Sequence, residues 1–211
     1  MSPLQLLPRY YPLQAFLALE AASEQRHEYI EGAVFVTERD TLAHNLTKSN
    51  LIAALRPVVR QRDGQVFSAS VQVEAQAGSC YLYPDVVVSC DPADRRDPYV
   101  VRLPVLIAEI QSLTTAEYDR TTKFYSCQKI PSLRHYLLIS QAAWTVEWFR
   151  HDEAGQWIYT LLTGPDATLE ILDLGLVLPL RELYEDTDVA PLRVMPSAEQ
   201  SGMSRFEPGA E

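Results

Sequence analysis

Three stretches of this chain are apolar without alternation: VVV at 86–88, PVLIAEIQ from Pro104 to Gln111, and RHYLLIS from Arg134 to Ser140. A strand with one wet face alternates polar and apolar residues, so an unbroken run reads as a strand covered on both faces. Such strands need layers of structure on either side. With 211 residues, 47% of them apolar, the chain can supply those layers without disulfide or metal staples. That excludes a coiled-coil rod, a collagen-like chain and a wholly disordered one. No apolar run reaches the roughly 18 residues of a transmembrane helix. The opening MSPLQLLPRYYP has no basic start followed by an apolar stretch, so no signal peptide is expected.

Around the apolar runs the pattern predicts other elements. Pro12 to Ala22 suits a short helix. His27 to Thr37 reads as a hairpin turning near Gly32. Thr41 to Arg62 reads as a long helix capped by Thr41, with Pro57 predicting a kink or an early end. Val66 to Ala75 alternates as a strand, and Tyr81 to Cys90 reads as one strand containing the valines. Residues 91–102 read as a loop, and Thr115 to Lys129 as a helix stopped by Pro131. Trp144 to Arg150 and Gln156 to Leu162 form a second hairpin with Gly155 in its turn, followed by short strands within 168–178 and a helical turn in 179–186. Three strands run together before the second helix. The expected class is therefore α/β (α+β), a mixed central sheet flanked by helices with extra N- and C-terminal hairpins, rather than a doubly wound repeat. We expect one domain over residues 1–185 and a flexible tail over 186–211.

Charge and cysteines narrow the function. There are 18 Lys and Arg against 28 Asp and Glu, for a net charge of −10. That argues against a non-specific nucleic-acid binder, which works through many cationic phosphate contacts. It leaves room for a carboxylate-built enzyme site whose bound cation reverses the local sign. Cys80, Cys90 and Cys127 are odd in number and form no CxxC pair, which argues against disulfides and structural zinc and for the cytoplasm. No P-loop, dinucleotide fingerprint, GxSxG or HExxH occurs. His27, His44, His135 and His151 lie on different elements without ligand spacing.

The informative residues are charges inside apolar strands. Glu109 sits between Ala108 and Ile110, where an ionised carboxylate is costly unless paired or cation-bound. Asp85 follows Pro84 at the start of the valine run. If the two strands are antiparallel neighbours, the start of one lies beside the end of the other, and the two acids meet at one edge. Gln111 projects from the same face as Glu109. Two carboxylates and an amide oxygen suit a hard cation such as Mg2+. Lys123 lies one turn beyond Asp119. It either aims at the acid pair, where it would stabilise developing negative charge, or forms a surface pair with Asp119 worth a few tenths of a kcal/mol.

At these residues the chain resembles a known bacterial family. HEYIEGAVF, YPDVVVSCD and LIAEIQSLTTAEYDRTTKFYSCQKIPSLRHYLLIS are similar to the restriction endonuclease-like family once classed as a domain of unknown function, within the PD-(D/E)XK nuclease superfamily. The resemblance spans roughly residues 12–185. It implies a restriction endonuclease-like core and an Mg2+- or Mn2+-dependent endonuclease with DNA as substrate. By resemblance, Asp85 and Glu109 hold the metal, with Gln111 standing where many superfamily members have the lysine. Lys123 is then the displaced lysine, Glu28 a further active-site carboxylate, and His44 and Arg120 candidate phosphate contacts, with Arg134 a weaker one. Two residues depart from the family pattern: Gln111, where a small apolar residue is common, and Leu113, where proline is common.

Two other readings stay open. One is a nuclease-fold protein without cleavage activity, serving as a binding or scaffold module, and the charge and Gln111 favour it. The other is a hydrolase of smaller phosphodiesters. The terminal hairpins, with Trp144, Trp148 and Trp157, offer edge strands to a homodimer or side chains to the core.

Overall fold

The computed structural model describes residues 6, 7, 9–37, 40–68 and 70–192. Chain order is α1 (Leu13–Ala22), β1 (His27–Ile30), β2 (Ala33–Val36), α2 (Leu42–Arg60), β3 (Gln65–Ser68), β4 (Gln72–Gln76), β5 (Cys80–Leu82), β6 (Val86–Ser89), β7 (Val100–Val101) and β8 (Pro104–Gln111). It continues with α3 (Ala116–Tyr118), α4 (Phe124–Cys127), β9 (His135–Ser140), β10 (Thr145–His151), β11 (Trp157–Thr163), β12 (Thr168–Ile171), β13 (Leu176–Pro179) and α5 (Leu180–Leu183). A 3-10 turn covers Pro92–Arg95, and a π-helical segment, Asp119–Lys123, joins α3 to α4.

The three apolar runs lie side by side as β6, β8 and β9 in a six-stranded sheet of order β11-β10-β9-β8-β6-β3. Only β8 and β9 are parallel in it. Both faces are covered, as the unbroken runs require. Leu106, Ala108 and Ile110 of β8 pack with Leu51, Leu55 and Val59 of α2 and with β12, β13 and α5. Ile107 faces the other way, into a cluster with Val73 and Leu82 of a second sheet and with Cys127 and Ile130. Strand alternation puts Glu109 and Gln111 on that second side. The second sheet has order β2-β1-β5-β4-β7, so the N-terminal hairpin opens a sheet of its own while the C-terminal hairpin extends the central one. The turn of the first hairpin has Glu31 at φ 48° and Gly32 at φ 95°, and a Cβ at Gly32 would overlap the Tyr10 ring.

Several boundaries differ from expectation. The strand expected over Val66–Ala75 is two strands in different sheets, β3 and β4, with Val71 N–H bonded back to Ser68 O at 3.0 Å. The strand expected over Tyr81–Cys90 is likewise β5 in one sheet and β6 in the other. Pro84 lacks the N–H that a continuing ladder needs, so the chain changes sheets there. Pro57 does not end α2, which runs to Arg60. The helix expected over Thr115–Lys129 is interrupted by the π-helical segment, where Phe124 N–H reaches Asp119 O.

The tryptophans point inward: Trp148 is buried, Trp144 stacks on Tyr184, and Trp157 packs edge-on against Phe124. Trp144 also holds the chain beyond α5, donating its Nε1–H to Val189 O at 2.6 Å. Residues 193–211 of the expected tail lie outside the described residues. Cys80 and Cys127 are buried, Cys90 is half-buried, and all three are free. Among the described residues no helix is long and apolar enough to cross a membrane.

Candidate active site

The change of sheets at Pro84 places Asp85 at the seam between the two sheets. Val86 pairs with Ala108 in the antiparallel register of β6 and β8, so Asp85 falls beside Glu109. Beyond the last paired residue the Asp85 side chain takes over the ladder: Oδ2 accepts the Ile110 N–H at 2.8 Å. The same oxygen lies 3.1 Å from His44 Nε2. His44 stands in the first turn of α2, whose cap Thr41 accepts the His44 N–H at 3.1 Å.

Glu109 is 3% exposed and meets Lys123, whose Nζ lies 2.9 Å from Glu109 Oε1. The same ammonium is 2.8 Å from Glu28 Oε1. Glu28, on β1 of the second sheet, also accepts the Tyr83 N–H and the Tyr118 hydroxyl, each at 2.8 Å. Lys123 therefore bridges an acid from each sheet. Asp119 and Lys123 are each 4% exposed, which overturns the alternative of a solvated surface pair.

Gln111 shares the face of Glu109 but donates its amide to Ala116 O at 3.1 Å and is not among the residues lining the cavity. Arg120 leaves the site and pairs with Glu147 on β10. Arg134 lies 3.4 Å from His151 Nδ1, also away from the cavity. Sequence reasoning missed Asp40, which pairs with Lys48 and lies 3.4 Å from His44 Nδ1. Lys48 Nζ is in turn 3.8 Å from Asp85 Oδ1. Part of the signal was present: His44 and Lys48, four residues apart, share one side of α2, while Asp40 lies just ahead of the cap Thr41.

These groups face a cavity of about 370 Å³. Its lining includes five carboxylates, Glu28, Asp40, Asp85, Glu109 and Asp119, against only Arg26 and Lys123 as permanent cations. The surplus shows in proton affinities. Burial raises Glu109 well above the ordinary carboxylate range against the pull of Lys123, and Asp119, Asp85 and Glu28 add to the rise. Burial likewise lifts Asp119 to about 7, again opposed by Lys123. Burial acts on Asp85 too, but His44, the Ile110 N–H and Lys123 together hold it below its usual value. Burial works against the charge on Lys123, yet Glu109, Glu28 and Asp119 hold its pKa well above normal. The chemistry available is an ionised carboxylate, two acids inclined to keep protons, and a permanent ammonium.

A mixed sheet covered on both faces is the restriction endonuclease-like fold that the resemblance implied. The chain belongs to the Uma2 family, described as "Putative restriction endonuclease", which it matches over residues 13–181. It is 26% identical over 183 residues to the uncharacterized protein slr1290 of Synechocystis sp. (strain ATCC 27184 / PCC 6803 / Kazusa), covering 87% of this chain and 95% of that one. A second protein of that strain, the uncharacterized sll1609, is 30% identical over 157 residues, covering 74% and 89%. The fold is similar to a crystal structure described as a "putative nuclease belonging to DUF820" from Anabaena variabilis ATCC 29413. The TM-score is 0.70 at 22% identity, with 82% of this chain and 97% of that one covered.

Proposed function

We propose that the protein is a divalent-metal-dependent nuclease that hydrolyses DNA phosphodiester bonds in this cavity. The observation that carries the reading is Lys123, whose ammonium reaches Glu109 although it comes from a helix and not from the strand position that Gln111 fills. The donor set fits a hard divalent cation, because Asp85 and Glu109 fall side by side where β6 meets β8 and both line the cavity with carboxylate oxygens. Asp85 and Glu109 would hold Mg2+ or Mn2+. When bound, the cation supplies charge for a phosphate oxygen and lowers the pKa of a water.

The chain's own residues do the rest. Lys123 carries a permanent positive charge toward the extra negative charge of the phosphorane. Glu28 fixes that ammonium through its ties to Tyr83 and Tyr118, which limits the lysine to one arrangement. His44 and the Ile110 N–H orient the Asp85 carboxylate. Phe35, whose ring is tilted against Tyr118 with centroids 4.8 Å apart, gives the cavity part of its apolar wall.

A supercoiled-plasmid nicking assay with Mg2+ or Mn2+ tests the reading on wild type, Asp85→Ala and Lys123→Ala. We expect nicking in wild type that needs added cation and is lost in both variants. Nicking that survives in Asp85→Ala removes the site. A wild type that leaves DNA intact favours the non-cleaving module, a reading that the −10 net charge supports.

A further inference from the structure

We infer that β11 is the contact edge of a homodimer, in which two copies of the chain pair their β11 strands antiparallel about a two-fold axis at Thr160 and join their central sheets into one. β11 ends the six-stranded sheet and pairs only with β10, in an unbroken register from His151↔Trp157 to Thr145↔Thr163. Two flanking bonds, Asp152 N–H to Gln156 O and Gly164 N–H to Trp144 O, fix which opposed residues are the hydrogen-bonded pairs. Alternation along the ladder then turns the N–H and C=O of Trp157, Tyr159, Leu161 and Thr163 away from β10. Among the described residues these groups make no backbone hydrogen bond to another element. The inference is independent of the nuclease reading, since no residue of β11 lines the cavity.

A bare strand edge is a template for another strand, and proteins blunt such edges with charge, proline, bulges, shortness or cover. The other edges of this fold are managed in those ways. β3, β12 and β13 have four residues each, and β7 has two. β2 is covered by the segment ahead of α1, where Leu7 N–H reaches Val34 O at 2.9 Å. β11 runs for seven residues, WIYTLLT, with no charge, proline or bulge. It leaves Tyr159 53% and Leu161 51% exposed. The occupant that fits is a second copy, because the strand is complementary to itself. With the axis at Thr160, Tyr159 faces the partner's Leu161 and Leu161 faces the partner's Tyr159, so the two exposed apolar side chains cover each other twice. These are hydrogen-bonded pairs, and they use the outward N–H and C=O groups. Trp157 faces the partner's Thr163, Ile158 faces the partner's Leu162, and Thr160 faces the partner's Thr160, a Thr–Thr pair of the kind that stabilises sheets. No like charges oppose one another in this register, although each chain carries a net charge of −10. A closed two-fold contact uses both β11 edges at once, so pairing through them stops at two copies.

The test is sedimentation equilibrium of the full chain from about 1 to about 100 µM, the range suited to a contact at the small end of specific interfaces. Circular dichroism confirms that each variant is folded. We expect the wild-type mass to rise with concentration toward twice the 23.8 kDa of one chain. Leu161→Lys enters both Tyr159–Leu161 pairs and should weaken association at least about tenfold. Tyr159→Pro removes an N–H that points away from β10, so it should abolish the dimer and leave the β10 ladder intact. Val177→Lys, at a 60% exposed position on β13, should leave the mass unchanged. Thr160→Cys should cross-link to its own copy under mild oxidation, because residues opposed in a non-hydrogen-bonded pair lie about 4.5 Å apart at Cα, within disulfide reach. Ile158→Cys, offset along the strand from its own copy, should cross-link no more than wild type. A wild type that stays monomeric throughout overturns the inference. So does a dimer that survives both Leu161→Lys and Tyr159→Pro, or equal cross-linking of the two cysteine variants. A wild type that dimerises only once residues 193–211 are removed also overturns it, since the chain's own tail would then occupy the edge.

Discussion

Lys123 and Glu109 meet at 2.9 Å with side chains only 5% and 4% exposed, so the contact is sealed from water. Removing one partner of a buried ion pair is more damaging than removing both, because it strands the other. Lys123→Met should therefore destabilise the fold by about 3 kcal/mol. Adding Glu109→Leu should recover part of that loss. Urea denaturation of the two single variants and the double variant measures the coupling; strictly additive losses would contradict it.

Gln111 has its amide committed to the Ala116 carbonyl, so it should be dispensable for DNA cleavage. Gln111→Ala should cost about 1 kcal/mol of stability and leave plasmid nicking unchanged. Gln111→Lys should not rescue Lys123→Ala, because a side chain seated against Ala116 does not enter the cavity. Rescue in the nicking assay would show that the strand position still reaches the acids.

Glu74 on β4 makes stability sensitive to acid. Burial pushes its carboxyl up, but the Tyr81 hydroxyl, Arg102 and the Gly78 N–H outweigh burial and hold the folded pKa below the ordinary value. A lowered folded pKa means stability that is present above about pH 4.3, the unfolded value, and lost as pH falls through the folded one. Arg102 Nε lies 2.5 Å from Glu74 Oε2, so Arg102→Ala should flatten that loss. Urea midpoints between about pH 6 and pH 3 report it.

Gly32→Ala should destabilise by more than about 1 kcal/mol, because φ is 95° and the new methyl would overlap the Tyr10 ring. Tyr10→Ala in the same chain should relieve the overlap but not the backbone strain. Thermal melting of both variants separates the two contributions.

The central sheet was legible because burying apolar runs on both faces is a strong, local instruction. The acid pair was legible for the converse reason: a carboxylate inside such a run needs a partner. The division into two sheets was not, because alternation every second residue says which side a residue takes but not which sheet its strand joins. Glu28 depended on the resemblance, since β1 reaches Lys123 only through the packing of one sheet on the other. The His44 and Lys48 pair on α2 was readable from its spacing, and Asp40 ahead of the cap was not. The pair's shared target, Asp85, is a tertiary contact that no local pattern specifies. Gln111 took the expected side of β8 and was then claimed by the first residue of α3.

The position of Asp85 at the seam has a thermodynamic consequence. The cavity draws on β1 from one sheet, β8 from the other, α2 and the π-helical segment, so no half of the chain contains it. A ligand held there binds only the assembled protein and shifts its unfolding equilibrium by mass action, by about 2.7 kcal/mol at a hundred times Kd. Occupancy of this cavity therefore registers as a rise in the melting temperature of both sheets together.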